Sequence, residues 1–298
     1  MRKNKIVVIG AGKLAYSLTP ALIKSGFDVQ AVISSKLNSA RSLAKKYSIP
    51  TYSTSLDKIP DKIDSYFITV PDGEIKKVAD QLSKLKRDFT DNFCVHFSGV
   101  ENVSALSSLK KKGCIVGSIH IIRPFPSKDF VEIKNSPASI EAGDKQAKVF
   151  LNKLCKKLKL RAYPIGSDEK VFQHLAAVHS SNFLVGNLFN AFSLMDSKSN
   201  LPKDILRKTT LSALNNVFEL SPVKALSGPV DRGDVYAIKK HIEELDKKIK
   251  LSKNPRLKLL RKNYILQSYL LLDIVKAKYG KLNKSHKEIE NYLRKLLP

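Results

Sequence analysis

The first half of the chain alternates short β-branched runs with longer stretches in which apolar residues recur every three to four positions. Residues 5–9, 28–34, 64–70, 92–97, 114–120, 138–141 and 161–164 read as strands, and 13–25, 39–47, 73–85, 103–111 and 144–158 as amphipathic helices between them. Such alternation builds βαβ units on a mainly parallel sheet. From Ser167 the pattern becomes purely helical, over 169–195, 202–220, 234–249, 254–279 and 287–296. The change of period predicts an α/β fold in two parts: a doubly wound parallel-sheet domain over residues 1–166 and an all-α domain over 167–298.

Composition is compatible with two cores, since 43% of the 298 residues are hydrophobic. The basic start at Met1 followed by Ile6-Val7-Val8-Ile9 imitates a secretion signal. That apolar run is too short for one, and Lys13 interrupts where it should continue. The apolar stretch at 183–195 is broken by Asn187 and Asn190 and is too short to span a bilayer. Cys94, Cys114 and Cys155 are far apart and form no CxxC, so neither a disulfide framework nor a metal site is expected and a reducing cytoplasm fits. The formal charge of +26 raises nucleic acid as a partner. The lysines are nevertheless dispersed over helix surfaces, mostly without interleaved aromatics or any nucleic-acid-binding motif. A general Lys-rich bias explains them more simply.

The sharpest motif is Gly10-Ala11-Gly12-Lys13-Leu14-Ala15, a GxGxxA between the first strand and first helix. Gly10 permits the turn, Gly12 leaves room for a pyrophosphate, Ala15 allows close packing, and the helix N-terminus offers free N–H groups. A glycine turn that binds nothing is the plainer alternative. The second strand ends in Ser34-Ser35-Lys36 without an acid, and Arg41 follows, a combination that favours NADP over NAD unless the two cations are simply solvated. Val70-Pro71-Asp72 sits at the carboxyl end of the third major strand, where ligands of such sheets collect.

Two further strand ends each deliver a histidine and a serine to that edge: His96-Phe97-Ser98 and Ser118-Ile119-His120. A histidine there is suited to proton exchange; taken singly, a strand-end histidine is more often a structural hydrogen bonder, but two together at the cofactor end point to a site. His120 is the preferred acid/base candidate because Arg123-Pro124-Phe125-Pro126 follows it as a closing loop. On the helix that opens the second domain, His174, Val178 and Ser181 share a face with Asn182 at its edge, while His179 points elsewhere. Ser98 and Asn182 are orienting candidates, and His174 and Ser181 line a substrate wall or an interhelical hydrogen-bond patch. Leu226-Ser227-Gly228-Pro229-Val230-Asp231-Arg232-Gly233-Asp234 is a specific turn, with Asp234 suited to cap the next helix. Arg232 is either a carboxylate clamp or a partner of Asp231 or Asp234.

Taken together, the GAGKLA turn, His96-Phe97-Ser98-Gly99, Gly117-Ser118-Ile119-His120, the helix from His174 to Asn182 and Gly228-Pro229-Val230-Asp231-Arg232-Gly233-Asp234 resemble the Rossmann-like, DUF2520-containing family. Its relatives include pyrroline-5-carboxylate reductase and F420-dependent NADP reductase types. The resemblance covers nearly the whole chain. It implies an NADP-dependent oxidoreductase with a small-molecule substrate and a homodimer formed through the helical domain. Relatives often carry Arg where Ser35 stands and Pro where Ile121 stands. A non-catalytic NADP sensor or scaffold is the rival reading.

Overall fold

The structure is a computed structural model that describes residues 4–195, 201–252 and 254–297. Met1 to Lys3 of the basic start lie outside the described residues. The chain forms two compact units, Met1–Phe183 and Leu184–Pro298.

The first unit runs β1 (Lys5–Ile9), α1 (Ala15–Lys24), β2 (Asp28–Ile33), α2 (Leu37–Lys46), β3 (Thr51–Ser53), β4 (Ser65–Ile68), α3 (Ile75–Leu82), β5 (Phe93–His96), α4 (Ser107–Lys110), β6 (Ile115–Ile121), β7 (Pro137–Ala142), α5 (Lys145–Lys157), β8 (Arg161–Pro164) and α6 (Ser167–Ser180). The strands form one sheet in the order β3-β2-β1-β4-β5-β6-β7-β8. Every pair is parallel except β6 with β7, where Ser118 faces Glu141 and His120 faces Ser139. Ile6, Val7 and Val8 on the central β1 are wholly buried, as expected of a strand covered on both faces. One core, including Leu18, Leu22, Phe67 and Leu151, fills one side, and another, including Tyr66, Ile75, Leu82 and Leu106, fills the other.

Where the sequence pattern predicts one helix over 169–195, the structure has two, α6 and α7 (Asn182–Leu194). The hydroxyl of Ser181 donates to the Ala177 carbonyl at 2.6 Å, and the backbone at Ser181 leaves the helical region with φ −124° and ψ −64°. A serine bonding back onto its own helix competes with the backbone ladder in this way. The compact units divide at Phe183/Leu184 rather than near Gly166. The reason is that α6 is fastened to the sheet by Lys170, whose Nζ reaches Ser118 on β6 and Glu141 on β7.

The second unit continues with α8 (Leu201–Leu220), α9 (Pro222–Ala225), α10 (Pro229–Arg232), α11 (Val235–Leu251), α12 (Arg256–Tyr279) and α13 (Lys284–Arg294). Ile238 and Ile242 of α11, Ile265, Leu272 and Val275 of α12, and Ile289 and Leu293 of α13 form its core. As expected, Asp234 caps α11, accepting from the Ala237 N–H at 2.9 Å. α7 is rich in Phe, Leu and Val, yet it buries no residue. Among the described residues, no helix is long and apolar enough to cross a membrane.

Candidate functional site

Two cavities open in the first unit, and consecutive residues of the glycine turn, Gly12 and Lys13, line one each. The first, about 490 Å³, is lined by Gly10, Ala11 and Gly12, by Ser34, Ser35 and Lys36 at the end of β2, and by Val70 and Pro71 after β4. Gly10 is fixed by geometry: its φ is +117°, and a Cβ there would lie 2.6 Å from the Thr69 carbonyl. At Gly12 the nearest atom to such a Cβ is 3.9 Å away, so a side chain would be free to project where the cavity now lies open. Leu14 packs on the core and Ala15 is fully buried under the sheet, in the packing role its small size suggests.

Three residues read from sequence into this cavity lie off it. Arg41 is exposed on α2, more than a turn beyond Lys36, and does not contribute to the lining. Asp72 is exposed and its negative charge is felt instead by His120 and Lys170. Lys13 lines the second cavity.

The second cavity, about 530 Å³, brings Lys13, His120 and Arg123 together with His174, Val178, Ser181 and Asn182. Both volumes fall within the usual range for small-molecule sites. His179 lies off this wall, edge-on to Phe183 at 4.7 Å. The His120 and His174 rings meet edge to face at 5.3 Å, and the Nδ1 atom of each is buried without a hydrogen-bond partner among the described residues. Burial, assisted by the neighbouring His174 and then Lys170, pushes the His120 pKa down to about 4, so the ring is neutral at pH 7. Gly99 explains why the rings fit: a Cβ there would stand 2.5 Å from His174 Nδ1 and 2.9 Å from the His120 ring.

His96 and Ser98 take structural posts. His96 is fully buried, its Nδ1 accepts from the Ser98 N–H at 3.3 Å and its Nε2 lies 3.2 Å from the Asn102 carbonyl. That pattern leaves the ring neutral with the proton on Nε2, and burial holds its pKa down at about 3. The Ser98 hydroxyl accepts from the Val100 and Glu101 N–H groups, which closes the turn after β5. Neither residue lines either cavity.

Sequence reasoning missed Lys170, which is only 1% exposed. Its ammonium donates to the Ser118 hydroxyl and to Glu141 Oε2, the latter at 3.3 Å, while Glu141 also accepts from Ser167 Oγ at 2.6 Å and from the Val103 N–H at 3.1 Å. Burial draws the Lys170 pKa below its ordinary value, and the Glu141 carboxylate opposes that shift. A signal was present: Lys170 stands four residues before His174, on the same helical face.

Arg232 belongs to the second unit, at the end of α10, and is exposed there. Its neighbours do not hold it. Asp231 pairs with Lys278 at 3.0 Å, and Asp234 is engaged in the helix cap.

Residues 5–91 match the family described as NADP oxidoreductase, coenzyme F420-dependent, and residues 136–255 match DUF2520, a domain of unknown function. The family resemblance is borne out. No curated protein matches the chain. Among solved structures, the candidate NADP oxidoreductase BF3122 from Bacteroides fragilis is 28% identical with a TM-score of 0.76, over 91% of this chain and 98% of that one. An imine reductase from Myxococcus stipitatus in complex with NADP+ shares the fold at 14% identity and TM-score 0.64, over 97% and 99%. A pyrroline-5-carboxylate reductase from Coxiella burnetii does so at 14% and 0.54, over the full length of both chains. These likenesses support an NADP-type oxidoreductase in general, with a nicotinamide cofactor, on a Rossmann-like sheet followed by helices.

Proposed function

We propose that this protein is an NADP(H)-dependent oxidoreductase acting on a small C=O or C=N compound that carries a carboxylate. The observation that carries this reading is the adjacency of the two cavities at Gly12 and Lys13, one framed by the glycine turn and the other by paired histidines and cations. The first fits a dinucleotide: open space at Gly12, hydroxyls at Ser34 and Ser35, and no acid at the end of β2. NADPH supplies hydride when bound. The protein's own residues orient the substrate and move a proton. Arg123 and Lys13 are suited to hold a carboxylate, and they occupy in the second cavity the role first assigned to Arg232. Asn182 offers an amide for orientation. His120, neutral at pH 7 and on the wall of the second cavity, is suited to take up a proton from a substrate alcohol or amine.

Thermal unfolding in the presence of NADP+, NAD+, FAD and S-adenosylmethionine tests the cofactor. NADP+ is expected to give the largest rise, since a ligand of the folded form alone at about 100 times its Kd adds about 2.7 kcal/mol of stability. Gly12→Val is expected to remove most of that rise. No response to either nicotinamide nucleotide would overturn the reading. Binding without oxidation of NADPH by any compound in a broad carbonyl and imine panel would favour the sensor role.

We also propose a homodimer through the helical unit. Val185, Phe189, Phe192 and Leu194 on α7, with Leu211, Phe218 and Leu220 on α8, leave large apolar side chains 45–85% exposed. So many large apolar side chains left exposed on two helices are suited to an interface rather than to a solvated helix face. Sedimentation equilibrium is expected to give twice the mass of one chain, and Phe218→Glu to shift it toward one. A wild-type monomer at micromolar concentration would end this proposal.

A further inference from the structure

The first cavity is lined mostly by the opening βαβ units, but not by them alone. Lys128 lies on the segment between β6 and β7, yet it lines the same cavity as Ser34, Ser35, Lys36 and Ser39. Its Nζ donates to Ser39 Oγ at 3.2 Å, bridging 89 residues of sequence, and stands 5.5 Å from the centre of the Tyr16 ring on α1. The reach is anchored on both sides: Phe125 packs against the core, the Val131 N–H donates to the buried Ser17 hydroxyl at 2.9 Å, and Ile133 is fully buried. Two ammonium groups and three hydroxyls therefore converge on one end of the cavity. The lining carboxylate, Glu74, is 3.6 Å from Lys77, and the carboxylate beside Lys128, Asp129, accepts from Ser127 Oγ at 2.7 Å.

We infer that Lys128 is a specificity-determining residue that binds the 2′-phosphate of NADP together with Lys36 and the Ser34, Ser35 and Ser39 hydroxyls. The inference rests on the dinucleotide reading of this cavity and replaces Arg41 as the second cation. A phosphate monoester dianion needs several donors and a compensating charge, and this end of the cavity supplies both. NAD, whose adenosine ribose carries no 2′-phosphate, lacks the group that this ammonium would meet.

The test is calorimetric binding of NADP+, NAD+, 2′,5′-ADP and 5′-AMP to the wild-type protein and to Lys128→Ala, Lys128→Arg and Arg41→Ala. Lys128→Ala is expected to weaken NADP+ and 2′,5′-ADP by about 10-fold or more, as for the loss of a charged hydrogen-bond donor. NAD+ and 5′-AMP should change less than about two-fold, and Lys128→Arg should recover most of the loss because it restores the charge. Arg41→Ala should leave all four ligands near their wild-type affinities. Equal effects of Lys128→Ala on ligands with and without the 2′-phosphate, or no effect on either, would overturn the inference while leaving the cofactor reading intact. A wild-type protein that binds neither dinucleotide would overturn both.

Discussion

Replacing Glu141 with Ala is expected to cost the fold about 3–5 kcal/mol, the usual penalty for leaving a buried charge without its partner. Lys170 and Glu141 are 1% and 5% exposed and 3.3 Å apart. The substitution also strips the Ser167 hydroxyl and the Val103 N–H of their acceptor. The stranded ammonium can escape only by losing its proton, and burial already depresses its pKa. The unfolded chain then binds more protons than the folded one at neutral pH, so the deficit shrinks as pH rises toward the ordinary lysine range. Urea unfolding of Glu141→Ala at pH 7 and pH 9 measures both effects. The double variant Glu141→Leu with Lys170→Met removes the charges together and is expected to lie within about 1–2 kcal/mol of wild type. A loss under about 1 kcal/mol for Glu141→Ala would mean that water reaches the pair.

His120→Ala is expected to lower kcat by about 10²- to 10⁴-fold, the span typical of a lost proton-transfer group. The pH profile is the sharper diagnostic. With a pKa near 4, the wild-type ring is a ready base at neutral pH, so oxidation of an alcohol or amine should hold steady down to about pH 5 and then decline through pH 4. Reduction requires the protonated ring and should accelerate over the same interval. His120→Ala should flatten both limbs. Stability follows the same protons: His96 and His120, with pKa values near 3 and 4 against 6.5 in the unfolded chain, are protonated in the unfolded state first. Between pH 6.5 and 3 the folded form therefore loses stability as pH falls. A pH-independent melting temperature across that range would show that the rings are open to water.

The glycine turn was legible from sequence because its logic is local: a strand, two glycines, a small residue and a helix fall within one short window. One face of α6 was legible for the same reason, since helical spacing brings His174 and Val178 to one wall; Ser181 and Asn182 join that wall from beyond the break that ends the helix. Other features resisted. The three-residue β3 is too short to show a period, and the antiparallel turn of β7 leaves no mark in a strand whose residues are buried on both faces. Lys170 looked like any surface lysine because its partners lie on strands 29 and 52 residues away. Lys128 was invisible as a neighbour of Ser39 for a similar reason, whereas Arg41 was conspicuous merely by being close in sequence. His96 and His120 occupy equivalent strand ends, and only their hydrogen bonds distinguish the satisfied ring from the one with an idle nitrogen.

The stretch from Ile122 to Ser136 contributes Arg123 and its prolines to one cavity and Lys128 to the other. Because a single span of backbone furnishes walls for both, lengthening or shortening it disturbs nucleotide discrimination and substrate fit at once. Lineages that retune either property through this span must accept a change in the other, whereas point replacements at Lys128 or Arg123 can adjust them separately.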